Sequence, residues 1–97
     1  MAELCYLEWH ITPFRADRWL EAWEPAAARV LAFGAKSWSL SRAVDDPSYF
    51  RQGSVWDARD DFERYWYSDE IAAMRERVIE LYDKPLLPSW HRLIGYE

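Results

Sequence analysis

Tyr49-Phe50-Arg51-Gln52-Gly53-Ser54-Val55-Trp56-Asp57-Ala58-Arg59-Asp60-Asp61-Phe62-Glu63-Arg64-Tyr65-Trp66-Tyr67-Ser68 changes periodicity half-way along. Up to Trp56 it is rich in aromatic and β-branched side chains and reads as a strand. From Asp57 the apolar residues recur at helical spacing, with Phe62, Tyr65 and Trp66 on one stripe at i, i+3 and i+4. Asp57 is the predicted N-cap of that helix, and Ser68-Asp69-Glu70 a predicted second cap that restarts it. Ile71, Met74, Val78 and Leu81 carry the spacing on to about Tyr82.

The same reading extends outward in both directions. Glu3 to Ile11 alternates, with Cys5, Leu7, Trp9 and Ile11 on one face and Tyr6, Glu8 and His10 on the other, which predicts a half-buried strand. Thr12-Pro13-Phe14 breaks it. Leu20, Trp23, Ala27, Val30 and Leu31 then predict an amphipathic helix from about Ala16 to Phe33, capped by Thr12 or Asp17, kinked at Pro25 and stopped by Gly34. Lys36 to Ala43 predicts a second strand with Trp38, Leu40 and Arg42 on one side and Ser37, Ser39 and Ser41 on the other. Asp45-Asp46-Pro47-Ser48 turns it back into the third. Pro85 and Pro88 bracket an extended connector, and Ser89 to Tyr96 alternates as a last strand.

The order is β-α-β-β-α-β in a single domain over residues 1–97, an α+β, ferredoxin-like arrangement of a four-stranded antiparallel sheet. Strand one is expected between strands four and three, with the helices on one face. The chain has seven Trp, six Tyr and four Phe, more than one small core easily absorbs. The uncovered sheet face is therefore expected to carry aromatics and to pair with a second copy.

A strand ending in Trp, a turn with Asp, then Phe, Tyr-Trp and Ser-Asp resembles the antibiotic-biosynthesis-monooxygenase-like family of dimeric α+β barrels. The resemblance implies a homodimer, an aromatic pocket between helices and sheet, and one of several activities. One is cofactor-independent oxidation of polycyclic phenols, in which Trp, Tyr, Asn and Arg surround the substrate. Another is haem degradation, but the position of that branch's axial His holds Arg75 here and its helical Trp position holds Tyr65. The expectation is therefore no cofactor, and either a cofactor-independent monooxygenase acting on an aromatic metabolite or a non-catalytic ligand-binding or stress-associated barrel. Trp9 and Trp56 are expected in the core, while Tyr65, Trp66 and Arg75 are the candidate site residues on the helices. A pocket with an ionisable group of shifted pKa would favour the enzyme; packed apolar walls would favour the binder.

His10 and His91 complete the candidate set. If strands one and four are antiparallel neighbours, both histidines fall at one end of the uncovered face, together with Glu8. Two His and a carboxylate suit a non-haem metal, yet no recognised spacing supports one and a hydrogen-bonded polar cluster is the stronger reading. No G-x-S-x-G elbow is present, and three glycines build no phosphate-cradling loop. Asp60, Asp61, Glu63, Arg59 and Arg64 read as a solvated helix face. A formal net charge of −5 argues against nucleic acid or an anionic membrane as partner. The lone Cys5, the lack of a long apolar run and an N-terminus without a basic stretch point to the cytoplasm.

Overall fold

A computed structural model of the protein describes residues 2–95. Four strands, β1 (Glu3–His10), β2 (Ser37–Arg42), β3 (Tyr49–Trp56) and β4 (Ser89–Arg92), form one antiparallel sheet in the order β2-β3-β1-β4. Three helices, α1 (Ala16–Ala28), α2 (Arg59–Trp66) and α3 (Asp69–Val78), complete the fold, and a 3₁₀ stretch, Arg29–Phe33, continues α1. This is the expected α+β arrangement, with β1 central.

The helix-facing side of the sheet follows from the pairing. Residues opposite one another point the same way, so Cys5, Leu7 and Trp9 of β1 share a face with Phe50, Gln52, Ser54 and Trp56 of β3. All of these are buried, as are Trp19, Trp23, Ala26 and Ala27 of α1 and Val30 beyond it. Trp23, Ala27 and Val30 of the predicted stripe are buried as expected, and Trp19 joins them in place of the predicted Leu20 and Leu31. Leu20 is half-buried and Leu31 exposed, because the larger indoles take the inward face. The helix runs through Pro25 and tightens at Arg29. Gly34 ends it at φ 110°, a conformation that favours glycine.

Two predicted caps are corrected. Arg15 stands at the N-cap of α1 without a side-chain bond, and Thr12 contributes only its carbonyl, to the Arg15 N–H at 3.0 Å. Asp17 instead pairs with Arg42 at 3.2 Å. Ala58 is the N-cap of α2, and Asp57 pairs with Lys36 at 3.4 Å. The cap at Ser68 does form, its hydroxyl accepting the Ile71 N–H at 3.2 Å, and it separates α2 from α3. The second helix of the ferredoxin-like order is therefore two.

α3 ends at Val78 rather than near Tyr82, because Tyr82 is drawn to the sheet edge. It bridges Ile11, and the Asp83 N–H donates to the His10 carbonyl at 2.8 Å. This displaces β4, which pairs only with the first half of β1: Leu4 faces His91 and Tyr6 faces Ser89. The strand stops at Arg92, Ile94 is exposed, and the predicted end at Tyr96 lies outside the described residues.

The uncovered face meets a second expectation in part, carrying Tyr6 and Tyr49 but no tryptophan. All seven tryptophans lie on the helices or on helix-facing strand positions. The open face carries Leu4, Tyr6, Glu8, His10, Tyr49, Arg51, Val55 and serines, with Gly53 leaving room for the Tyr6 ring. The surplus aromatics are absorbed by stacking one indole on another inside the core, not by exposure.

Candidate functional site

Trp9 is the centre of the interior. Its ring centroid lies 5.1 Å from that of Trp19, 4.9 Å from Trp23, 5.0 Å from Tyr82 and 6.4 Å from Trp66. Indole N–H groups can only donate, so this many buried indoles needs an acceptor. Gln52 supplies it: its Oε1 accepts from Trp23 Nε1 at 2.9 Å and Trp9 Nε1 at 3.2 Å. Sequence reasoning missed Gln52 and Trp19. The signal was present in the alternation Phe50, Gln52, Ser54, Trp56, which places a polar amide on the inward face.

Of the five candidates, the structure brings Tyr65, Trp66 and Arg75 together and separates them from the histidines. Successive residues of a helix are rotated by about 100°, so Tyr65 and Trp66 cannot both point inward. Tyr65 does, fully buried, its hydroxyl donating to the Ala26 carbonyl at 2.8 Å. Burial pushes its pKa up, an effect partly offset by the neighbouring Gln52 amide. Burial also raises Tyr82. Both move away from neutrality, so neither is a base at pH 7.

Trp66 lies at the edge, half-buried, stacked on Phe62 with centroids 5.8 Å apart. The Arg75 guanidinium covers its outer surroundings, 4.8 Å from the Trp66 ring and 5.6 Å from Tyr67. Among the described residues Arg75 has no carboxylate partner, and its Nε is buried without a hydrogen bond. An open groove of about 300 Å³ runs beside these residues, walled by Phe62, Trp66 and Tyr67 on one side and Leu86, Leu87, Pro88 and Trp90 on the other. Its volume is at the small end of the range for ligand sites. Trp90 meets Phe62 edge-on at 5.5 Å.

His10 and His91 share the open face but not an end of it, which corrects the expectation. His91 lies opposite Leu4, whereas His10 is six residues further along β1 and opposite Tyr49, roughly 20 Å away at about 3.3 Å per residue. The physical reason is the displacement of β4 by Tyr82 and Asp83. His91 packs edge-on against Tyr6 and has Nε2 3.0 Å from Ser89 Oγ. His10 stacks on Tyr49 at 4.9 Å. The Tyr49 hydroxyl donates to Glu8 at 2.7 Å and Arg51 donates to it at 3.1 Å. Tyr49 and Arg51 together hold the Glu8 carboxyl below its ordinary range. Among the described residues no three His, Cys, Asp or Glu side chains converge as a metal site, and no helix is long and apolar enough to cross a membrane.

A putative antibiotic biosynthesis monooxygenase from Nitrosomonas europaea superposes with a TM-score of 0.86 at 13% identity, covering 96% of this chain and 90% of that one. The fold is that of the antibiotic biosynthesis monooxygenases. A second protein so described, from Chloroflexus aurantiacus, gives 0.82 at 14% identity over 100% and 97% of the two chains. A variant of SnoaB, a cofactor-independent oxygenase from Streptomyces nogalater, gives 0.81 at 12% identity over 98% and 95%. No protein-family model and no curated protein sequence matches the chain.

Proposed function

We propose that this protein is a small cofactor-independent monooxygenase that takes a planar, acidic aromatic metabolite in the groove between Trp66 and Trp90. Arg75 carries the reading. Among the described residues it is a cation without a carboxylate partner, laid over two aromatic rings of the groove wall. Such a guanidinium stabilises an oxyanion at the rim while the aromatic walls take the ring system by stacking. The substrate supplies its own acidity, because the buried tyrosines are shifted the wrong way to act as bases. A phenolate then gives an electron to dioxygen and the two radicals combine. One oxygen atom becomes a quinone carbonyl. The other leaves as water, with hydrogens from the phenol O–H and the ring C–H. The protein's share is orientation, stacking and stabilisation of charge. The likeness to SnoaB supports this reading at the level of fold.

The test is oxygen uptake with a panel of polycyclic phenols above their pKa. Uptake matched by quinone formation, and reduced at least ten-fold in Arg75→Met, is expected. Tight binding with no uptake above the uncatalysed rate would leave the second reading, a non-catalytic ligand-binding or stress-associated protein. That no histidine is among the described residues lining the groove favours that alternative. In either case we propose a homodimer joined through the open sheet face, helices outward, in the cytoplasm where the buried thiol of Cys5 stays reduced.

A further inference from the structure

The chain carries 12 lysines and arginines. Among the described residues six of them pair with a carboxylate. Lys84 donates to the Tyr82 carbonyl at 3.0 Å, and Arg75 lies over Trp66. Three of those left, Arg15, Arg18 and Arg77, border one cleft of about 420 Å³. None of the three has a carboxylate partner among the described residues. They come from two elements far apart in the chain, Arg15 and Arg18 from the start of α1 and Arg77 from the last turn of α3. The elements are fastened together here: the Thr12 N–H donates to the Leu81 carbonyl at 2.9 Å, and the Arg15 N–H to the Thr12 carbonyl at 3.0 Å. Ile79 and Leu81 give the cleft an apolar wall, and Glu76 and Glu80 complete its lining. No residue that lines it also lines the groove beside Trp66.

We infer that this cleft is a second binding site and that it takes a phosphorylated polyol, of which a sugar phosphate is the simplest case. In a protein of formal net charge −5, three unpaired guanidinium groups on one cleft reverse the prevailing sign and select an anion. Each guanidinium donates in a planar fork that matches two phosphate oxygens at once. The two glutamates narrow the choice. Ionised carboxylates only accept hydrogen bonds, so Glu76 and Glu80 repel a bare phosphate but take hydrogens from hydroxyl groups. A ligand that satisfies both sets carries a phosphate at one end and O–H donors at the other. The apolar wall of Ile79 and Leu81 suits the C–H face of such a molecule, and the volume lies within the range of ligand sites. A phenolate, by contrast, gives the glutamates nothing to accept.

The probe is ribose 5-phosphate, with inorganic phosphate and ribose standing for its two halves. Calorimetry reads affinity, and nitrogen–proton correlation spectra of the backbone amides read position. Ribose 5-phosphate is expected to bind roughly ten-fold more tightly than inorganic phosphate, and ribose not measurably, with shifts confined to residues 12–19 and 76–82. Arg18→Gln and Arg77→Gln should each weaken binding several-fold. Arg92→Gln, at an exposed position outside the cleft, should not. Glu80→Gln should narrow the margin between ribose 5-phosphate and inorganic phosphate. Equal affinities for the two phosphates would overturn the proposal, as would equal losses in Arg77→Gln and Arg92→Gln, or shifts scattered over the surface. Vesicles of phosphatidylcholine with and without phosphatidylinositol phosphate separate a free ligand from a lipid headgroup. Sedimentation with the latter lipid, while ribose 5-phosphate fails to bind, would overturn the free-ligand assignment. Because the cleft and the groove share no lining residue, oxygen uptake and sugar-phosphate binding stand or fall independently.

Discussion

Replacing Gln52 by leucine removes the one acceptor that serves two fully buried indoles. Trp9 and Trp23 would each keep a fully buried N–H without an acceptor, at about 1–3 kcal/mol per orphan donor, so about 2–6 kcal/mol together. An offset applies. The amide nitrogen of Gln52 is itself unpaired, and removing it recovers roughly 1–2 kcal/mol. The net expectation is a loss of about 3 kcal/mol. At about 4–8 °C per kcal/mol for a domain of this size, the thermal midpoint should fall by about 12–24 °C. Thermal and urea melts followed by far-ultraviolet circular dichroism measure it. A double-mutant cycle adds specificity: Trp23→Phe should cost less in the Gln52→Leu background than in the wild type, because its N–H is already orphaned there. A neutral or stabilising Gln52→Leu, or strictly additive losses, would refute the view that the amide holds the two rings.

Trp66→Phe should lower affinity for planar aromatic ligands several-fold with at most about 1–2 kcal/mol of stability lost; a large loss of stability with affinity untouched would assign Trp66 to packing alone. Burial holds the Cys5 thiol at about 12, against 9.0 for a free thiol, and raises Tyr65 and Tyr82. The unfolded chain therefore releases protons first as pH rises, so melting temperature should be level to about pH 9 and fall above it; a rise over that range would contradict the burial of these groups. Haemin should give no saturable, axially ligated Soret band, since no histidine is among the described residues that line the groove beside Trp66. A band that survives replacement of both His10 and His91 would overturn that expectation.

Much of the fold was legible because two periodicities are written plainly. The alternation from Cys5 to Ile11 and the spacing of Phe62, Tyr65 and Trp66 assign strand and helix without help from tertiary contacts. The rotation between neighbouring helical residues says that one of Tyr65 and Trp66 must lie at the edge, but not which. What could not be read was pairing at a distance. Nothing local to Tyr82 or Asp83 says that they will occupy the second half of the β1 edge. Without that fact His91 appears to sit beside His10. The uncovered face was read only in part because composition counts aromatics without saying where they go: two tyrosines lie on it, while the indoles face the helices. Gln52 was passed over because one glutamine among strand residues looks incidental until its partners are known.

The short ladder of β4 bears on how the groove works. Four residues, Ser89–Arg92, bind this strand to half of β1; they carry Trp90 and follow directly on Leu86, Leu87 and Pro88 of the groove wall. An edge strand held by so few bonds belongs to the part of a protein that detaches without global unfolding. Hydrogen exchange at the β4 amides should be governed by that local opening, well ahead of β1 and β3. Ligand entry would then be timed by the fraying of one strand, and a molecule bridging Trp66 and Trp90 would slow exchange in β4 while leaving the rest of the sheet untouched.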